Sequence, residues 1–172
     1  MKKNVTLHFI MTGGTIDSHY DGTKDTAVPT KHSSIPAFIK ALKLYEDCEF
    51  TEVCMKDSRS LTTADRQRVL QTVEKSTSQR IIITHGTYTL PDTARYLRAH
   101  YKNKNKVIVF VCSMIPLSGF FPTDAGFNLG YAVAKSQTLA KGIYVCMNGR
   151  IFKPEEVLKI ISEGRFGSIY TK

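Results

Sequence analysis

The sequence predicts an α/β protein: one domain built on a doubly wound, mostly parallel sheet with helices on both faces. Three observations carry this. Short strand-like and longer helix-like segments alternate along the chain, which implies parallel pairing through right-handed crossovers. The strand-like segments are mostly apolar on both faces, as strands covered on two sides are. The 172 residues suit one domain at about 150 residues each, and a chain of this length buries about 70% of its unfolded surface without help from metals or disulfides.

Val5 to Met11 forms the first strand and runs directly into a Gly-Gly turn. Ser34 to Leu44 places Phe38, Ile39 and Leu42 at helical spacing, and Phe50 to Met55 follows as the second strand. A Thr62-x-x-Asp65 box then opens a helix over Thr63 to Ser76 with Val69, Leu70 and Val73 on its apolar face. Arg80 to Thr84 is the third strand, and Pro91 to Tyr101 is a helix with Pro near its start. Lys106 to Cys112 and Gly142 to Met147 are the fourth and fifth strands, separated by a helix over Asp124 to Leu139. Pro154 to Ser162 reads as a last helix because Pro stands at a favoured first-turn position. In such folds ligands bind beyond the carboxyl ends of the strands, so the loops after Met11, Met55, Thr84, Cys112 and Met147 are the ones to inspect.

Composition narrows the function classes. With 42% apolar and 23% charged residues the chain is an ordinary globule, which excludes disorder, collagen and coiled coil. The net charge of +9, from 24 basic against 15 acidic residues, invites nucleic acid. The basic residues are nevertheless scattered, and the densest stretch, Arg95 to Lys106, reads as a solvated helix end. Neither nucleic acid nor membrane is an expected partner; small anions are. Cys48, Cys54, Cys112 and Cys146 form no CxxC and no Cys/His cluster, so no metal is expected. The longest apolar run, Val107 to Leu117, is too short to span a bilayer, and the amino terminus lacks a signal-peptide pattern. A reducing, cytoplasmic compartment is the default expectation.

Two loops carry chemistry. Thr12-Gly13-Gly14-Thr15-Ile16-Asp17 follows the first strand, where the glycines allow a tight turn and close approach to a ligand. It is neither a Walker loop nor a dinucleotide fingerprint. Thr84-His85-Gly86-Thr87-Tyr88-Thr89 follows the third strand and precedes a helix, where hydroxyls and unpaired N–H groups suit a carboxylate or a developing oxyanion. Threonine becomes a nucleophile only when a neighbour removes its proton. His85 reads as structural and Asp124 as a helix cap.

These loops, with KDS at Lys56 to Ser58, SMIP through TDAGFNLGYA, and NGRIF at Asn148 to Phe152, resemble the bacterial-type L-asparaginases, particularly the short branch without a carboxy-terminal domain. The resemblance implies one asparaginase-like domain over residues 1–172, no cofactor, and a small-molecule amide as substrate. It also implies a homo-oligomer, dimer or tetramer, because family members place active sites at subunit contacts. Carried over, the nucleophile falls on Thr15, its activating tyrosine on Tyr20, the second catalytic threonine on Thr87 and its lysine partner on Lys106. Ser58 would bind the substrate carboxylate, with Gly14, Asp57, Arg59, Gly86, Tyr88 and Ser113 completing the pocket.

The chain departs from the family where it matters. HGTDT has become His85-Gly86-Thr87-Tyr88-Thr89, and a neutral phenol cannot supply the charge of the aspartate that meets the substrate's α-ammonium. Ser60 stands where the short branch usually has a second Asp, Arg59 precedes it, and the GAM turn has become Cys112-Ser113-Met114. The sequence therefore expects an amidohydrolase acting on L-asparagine or a related carboxylate-bearing amide. The alternative is a low-activity or inactive relative that binds small anions or amino acids. A flavodoxin-like phosphate site in the THGTYT loop is a third reading, weakened by the absence of Trp.

Overall fold

A computed structural model describes residues 7–170 of the chain. β1 (Leu7–Gly13) ends in a 3-10 turn (Thr15–Asp17) and is followed by a hairpin of β2 (Ser18–Asp21) and β3 (Thr26–Pro29). Then come α1 (Ile35–Ala41), β4 (Cys48–Lys56), α2 (Thr63–Lys75), β5 (Arg80–Thr84) and α3 (Leu90–His100). The chain continues through β6 (Val107–Val111), α4 (Ala125–Ser136), β7 (Gly142–Met147) and β8 (Arg150–Phe152) to a second hairpin, β9 (Val157–Ile160) and β10 (Arg165–Ser168).

The main sheet has the order β4-β1-β5-β6-β7-β8. All neighbours pair in parallel except β8, which folds back on β7 through Asn148 and Gly149, both with positive φ. Alternation along each strand sorts the core into two layers. Ile10, Ile81, Ile83, Ile108 and Phe110 face Val69 and Val73 of α2 and Leu90, Ala94 and Leu97 of α3. Phe9, Met11, Ile82, Val109 and Val111 face Ile35 and Ile39 of α1 and Ala125, Leu129 and Ala132 of α4. Helices thus cover both faces. The Thr62–Asp65 capping box forms, and the Asp65 carboxylate also receives Lys56 and Arg68.

The chain leaves β1 toward β4 on one side and returns to β5 on the other, so the crossover direction reverses between β1 and β5. That reversal opens a crevice at their carboxyl ends, where ligands bind in open α/β sheets.

Two elements differ from the sequence expectation. Residues 154–162 are not a helix: Val157 is buried in the core, Gly164 adopts the left-handed conformation, and the two short runs around it pair as β9 and β10. The β-branched and aliphatic run Val157-Leu158-Lys159-Ile160 outweighs the proline signal. The segment after Asp17, to which the sequence reading assigns no strand, is an antiparallel hairpin. The first strand begins its described part at Leu7, and Val5 and Thr6 lie outside the described residues.

Candidate active site

The crevice has a backbone floor. A Cβ on Gly14 would stand 2.2 Å from the Gly86 Cα, and one on Gly86 would stand 2.7 Å from the Ser58 Cβ. The loops after β1, β4 and β5 therefore touch where only glycine fits, and Gly14 itself has φ near 81°. Two hydrogen bonds lock them together: Gly14 N donates to the Lys56 carbonyl at 2.9 Å, and the Thr12 hydroxyl to the Thr84 carbonyl at 2.9 Å. The Asp17 carboxylate ties the same turn to α1 by accepting from the Ser33 hydroxyl and from the Ser34 N–H and hydroxyl. Burial pushes the pKa of Asp17 up.

Over this floor lies a cleft of about 100 Å³ lined by Thr15, Ser58, Thr87 and Tyr88, with Asp57 and Arg59 at one wall and Ser18 and Ala27 of the first hairpin at the other. Ser58 is buried, and its carbonyl accepts from the Thr89 hydroxyl at 2.6 Å, which binds the β4 loop to the start of α3. Asp57 is clamped by Arg59. Its Oδ1 accepts from the Arg59 backbone N–H at 2.8 Å and from Nε at 3.1 Å, and its Oδ2 accepts from Nη2 at 2.8 Å. That pairing holds the carboxyl below its usual range.

The lysine beside Thr87 is Lys159. Its Nζ donates to the Thr87 Oγ1 at 2.7 Å and sits 4.1 Å from the centre of the Tyr88 ring, which also has the Arg59 guanidinium at 5.0 Å. Burial lowers the pKa of Lys159 below the usual lysine range, and the charge on Arg59 pushes the same way. Lys159 reaches Thr87, which lines the cleft, from the face of β9 that also carries buried Val157. The hairpin is anchored by Asn148, whose Oδ1 accepts from Phe166 N at 3.0 Å and whose N–H donates to Asn128 Oδ1 at 3.2 Å.

The expected pairing of Lys106 with Thr87 is corrected by this geometry. Lys106 precedes the first residue of β6, at the amino-terminal edge of the sheet, whereas Thr87 follows the carboxyl end of β5. Its Nζ donates to the carbonyls of Ser76 and Ser78, both at 2.7 Å. Ser113 is likewise not a pocket residue: it is fully buried and donates to the Ile115 carbonyl at 2.6 Å. Tyr20 does not line the cleft either. It is 55% exposed on the first hairpin, where its hydroxyl donates to Asp25 Oδ1 at 2.6 Å. It does share a strand face with Ser18 and stands opposite Ala27, both of which line the cleft. Gly14, Thr15, Asp57, Ser58, Arg59, Gly86, Thr87 and Tyr88 are brought together.

His85 lies beneath the site and is fully buried, with Nδ1 donating to the Gly86 carbonyl at 2.8 Å and Nε2 accepting from the Thr93 hydroxyl at 2.9 Å. Burial lowers its pKa to about 4, so it stays neutral and shapes the loop. Among the described residues no cluster of three His, Cys, Asp or Glu side chains could hold a metal, and no helix is long and apolar enough to cross a membrane.

Comparison with known proteins places this arrangement. The family model for the asparaginase amino-terminal domain matches residues 6–167. The chain belongs to the asparaginase family. Among its asparaginase relatives, the glutaminase-asparaginase of Acinetobacter glutaminasificans is 31% identical over 94% of this chain and 51% of its own length. A probable L-asparaginase of Schizosaccharomyces pombe is 31% identical over 86% of this chain and 43% of its own. Among solved asparaginase structures, a probable cytoplasmic L-asparaginase from Campylobacter jejuni superposes with a TM-score of 0.81 at 27% identity, covering 96% of this chain and 53% of that one. The thermostable L-asparaginase from Thermococcus kodakarensis gives 0.78 at 26% identity. The chain therefore spans about half the length of the asparaginases it matches.

Proposed function

We propose that the cleft hydrolyses the terminal amide of a small carboxylate-bearing molecule, L-asparagine or a relative of it, with Thr15 as nucleophile. The single observation that carries this reading is the 2.7 Å hydrogen bond from Lys159 Nζ to Oγ1 of Thr87, which lines the same small cleft as Thr15. A lysine of lowered pKa is a base that can be neutral near its working pH, and a hydroxyl hydrogen-bonded to it can pass on a proton.

In the first half-reaction the Thr15 oxygen bonds to the amide carbon and loses its proton. The C–N bond breaks and nitrogen leaves as ammonia once it has gained a proton. In the second, water attacks the Thr15 ester, the acid departs and the Thr15 hydroxyl is restored. Thr87 with Lys159 accepts the proton of the attacking water. Tyr20 is suited to take the Thr15 proton only if the β2–β3 hairpin folds down over the cleft, carrying the Tyr20–Asp25 pair with it. Asp25 would then receive the tyrosine's own proton.

The alternative, a relative that binds a small anion with little turnover, is favoured by one feature: the Tyr20 hydroxyl is engaged by Asp25 and does not face Thr15 in this conformation. Ammonia release by purified protein separates the two. Thr15→Ala should abolish release while leaving the melting temperature nearly unchanged, because the role is chemical. Thr15→Ser should retain some rate. Full activity in Thr15→Ala would overturn the mechanism, and silence of the wild type toward every small amide would favour the binding role.

A further inference from the structure

The charges that line the cleft say which carboxylate amide it takes. A primary ammonium group buried in a small site needs a carboxylate or several carbonyl oxygens to replace its water. Among the residues lining the cleft the carboxylate is Asp57, and Arg59 occupies both of its oxygens. An aromatic face could serve an ammonium instead. The Tyr88 ring, however, is already covered by the Arg59 guanidinium at 5.0 Å and the Lys159 Nζ at 4.1 Å. The charge on Arg59 across that ring disfavours the protonated form of Lys159. With Lys159 neutral, as its role of base requires, Asp57 and Arg59 balance each other, so no negative charge is left over to hold a further cation.

We infer that the substrate is the monoamide of a short dicarboxylic acid that bears no α-ammonium group, and that Arg59 and Tyr88 set this preference by closing Asp57 and the aromatic face to cations. The inference rests on the amidohydrolase reading for the word substrate, but its recognition step stands apart from turnover. A cleft of about 100 Å³ suits a four-carbon backbone rather than a long chain or a polymer. Succinamate is the simplest molecule that meets the description, and L-asparagine is the same skeleton with the ammonium added.

Calorimetric titration with succinate and with L-aspartate isolates the ammonium, because the two ligands differ in that group alone and neither is hydrolysed. Succinate should bind at least about tenfold tighter, since one unfavourable charge contact of this kind commonly exceeds a single factor of ten. In Arg59→Gln, Asp57 is released and the preference should shrink or reverse; Arg59 is exposed, so folding is not at stake. Ammonia release from succinamate and from L-asparagine is measured alongside. If succinate is preferred but neither amide is cleaved, the inference about recognition holds and the amidohydrolase reading fails. If L-aspartate binds as well as succinate, if neither binds at millimolar concentration, or if the preference survives unchanged in Arg59→Gln, the inference is overturned even where asparagine turnover is intact.

Discussion

Exchanging each of two lysines for methionine tests the assignment of the base. Lys159 Nζ donates at 2.7 Å to Oγ1 of Thr87, which lines the cleft, and Lys106 Nζ donates to two backbone carbonyls at the far edge of the sheet. A hydrogen bond to a charged group contributes about 1.5 to 3 kcal/mol, so its loss alone costs about tenfold to about 150-fold; loss of a general base costs on the order of 100- to 10,000-fold. Lys159→Met should therefore lower kcat/KM by at least about a hundredfold with little change in melting temperature. The pH profile supplies the sharper readout. Burial lowers the Lys159 pKa, so the neutral form grows as pH rises toward and through that lowered value, and wild-type kcat/KM should climb over the same interval. The climb should vanish in Lys159→Met. Lys106→Met should instead preserve kcat/KM while taking a donor from two carbonyls. Each buried polar group left unsatisfied costs about 1 to 3 kcal/mol, which for a chain of this size lowers the melting temperature by about 2 to 4 °C per kcal/mol. If Lys106→Met abolishes turnover while Lys159→Met keeps both its rate and its alkaline climb, the reasoning is refuted.

Two further predictions follow from buried and exposed groups. His85 has a folded pKa of about 4 against an unfolded value near 6.5, so its neutral burial stabilises the fold fully above about pH 6.5. As pH falls from there toward 4 the unfolded chain takes up a proton that the folded one refuses, costing up to about 3 kcal/mol; melting curves over that range should lose this slope in His85→Gln. The homo-oligomer expected from the sequence has an apolar face available on α4, where Phe127 is 62% exposed and stacks on Tyr131. Light scattering should show a dimer or tetramer, and a monomer at micromolar concentration would reject it.

The sheet was legible because its signal is chemical and local. Strands such as Ile81-Ile82-Ile83 and Val107-Ile108-Val109-Phe110-Val111 have no polar face, and only a sheet covered on both sides accepts that pattern. The loops bearing Thr15, Ser58 and Thr87 were legible too, since glycines stand where backbones must touch. The lysine was not. Lys106 stands ahead of a strand, which in a parallel sheet places it at the amino-terminal edge, away from the loop of Thr87; its assignment came from the resemblance and not from this signal. Lys159 was hidden by Pro154, which suggested a helix start, although the alternation from Val157 to Ile160 and the glycine at 164 were the signals of a hairpin. Tyr20 shows the same limit from another side: neither its hairpin nor its partner Asp25 was read from the sequence.

Because β9 and β10 form a sheet of their own, the lysine is mounted on a bracket separate from the beam that carries Thr15 and Thr87. The bracket is fastened through Asn148 to Phe166 and Asn128, through Arg95 of α3 to the Val157 carbonyl, and by Val157 and Phe166 packed in the core, not through the ladder of the main sheet. Substitutions in the hairpin can therefore shift the reach of the lysine, and with it the electrostatic potential over the Tyr88 ring, while the Gly14–Gly86 seam stays fixed. For an engineer this divides the molecule into an alignment that should be left alone and a tuning arm whose outward positions, with Val157, Lys159, Gly164 and Phe166 kept, can be randomised. For natural variation it offers a route by which relatives sharing one scaffold could drift apart in proton affinity before they drift in shape.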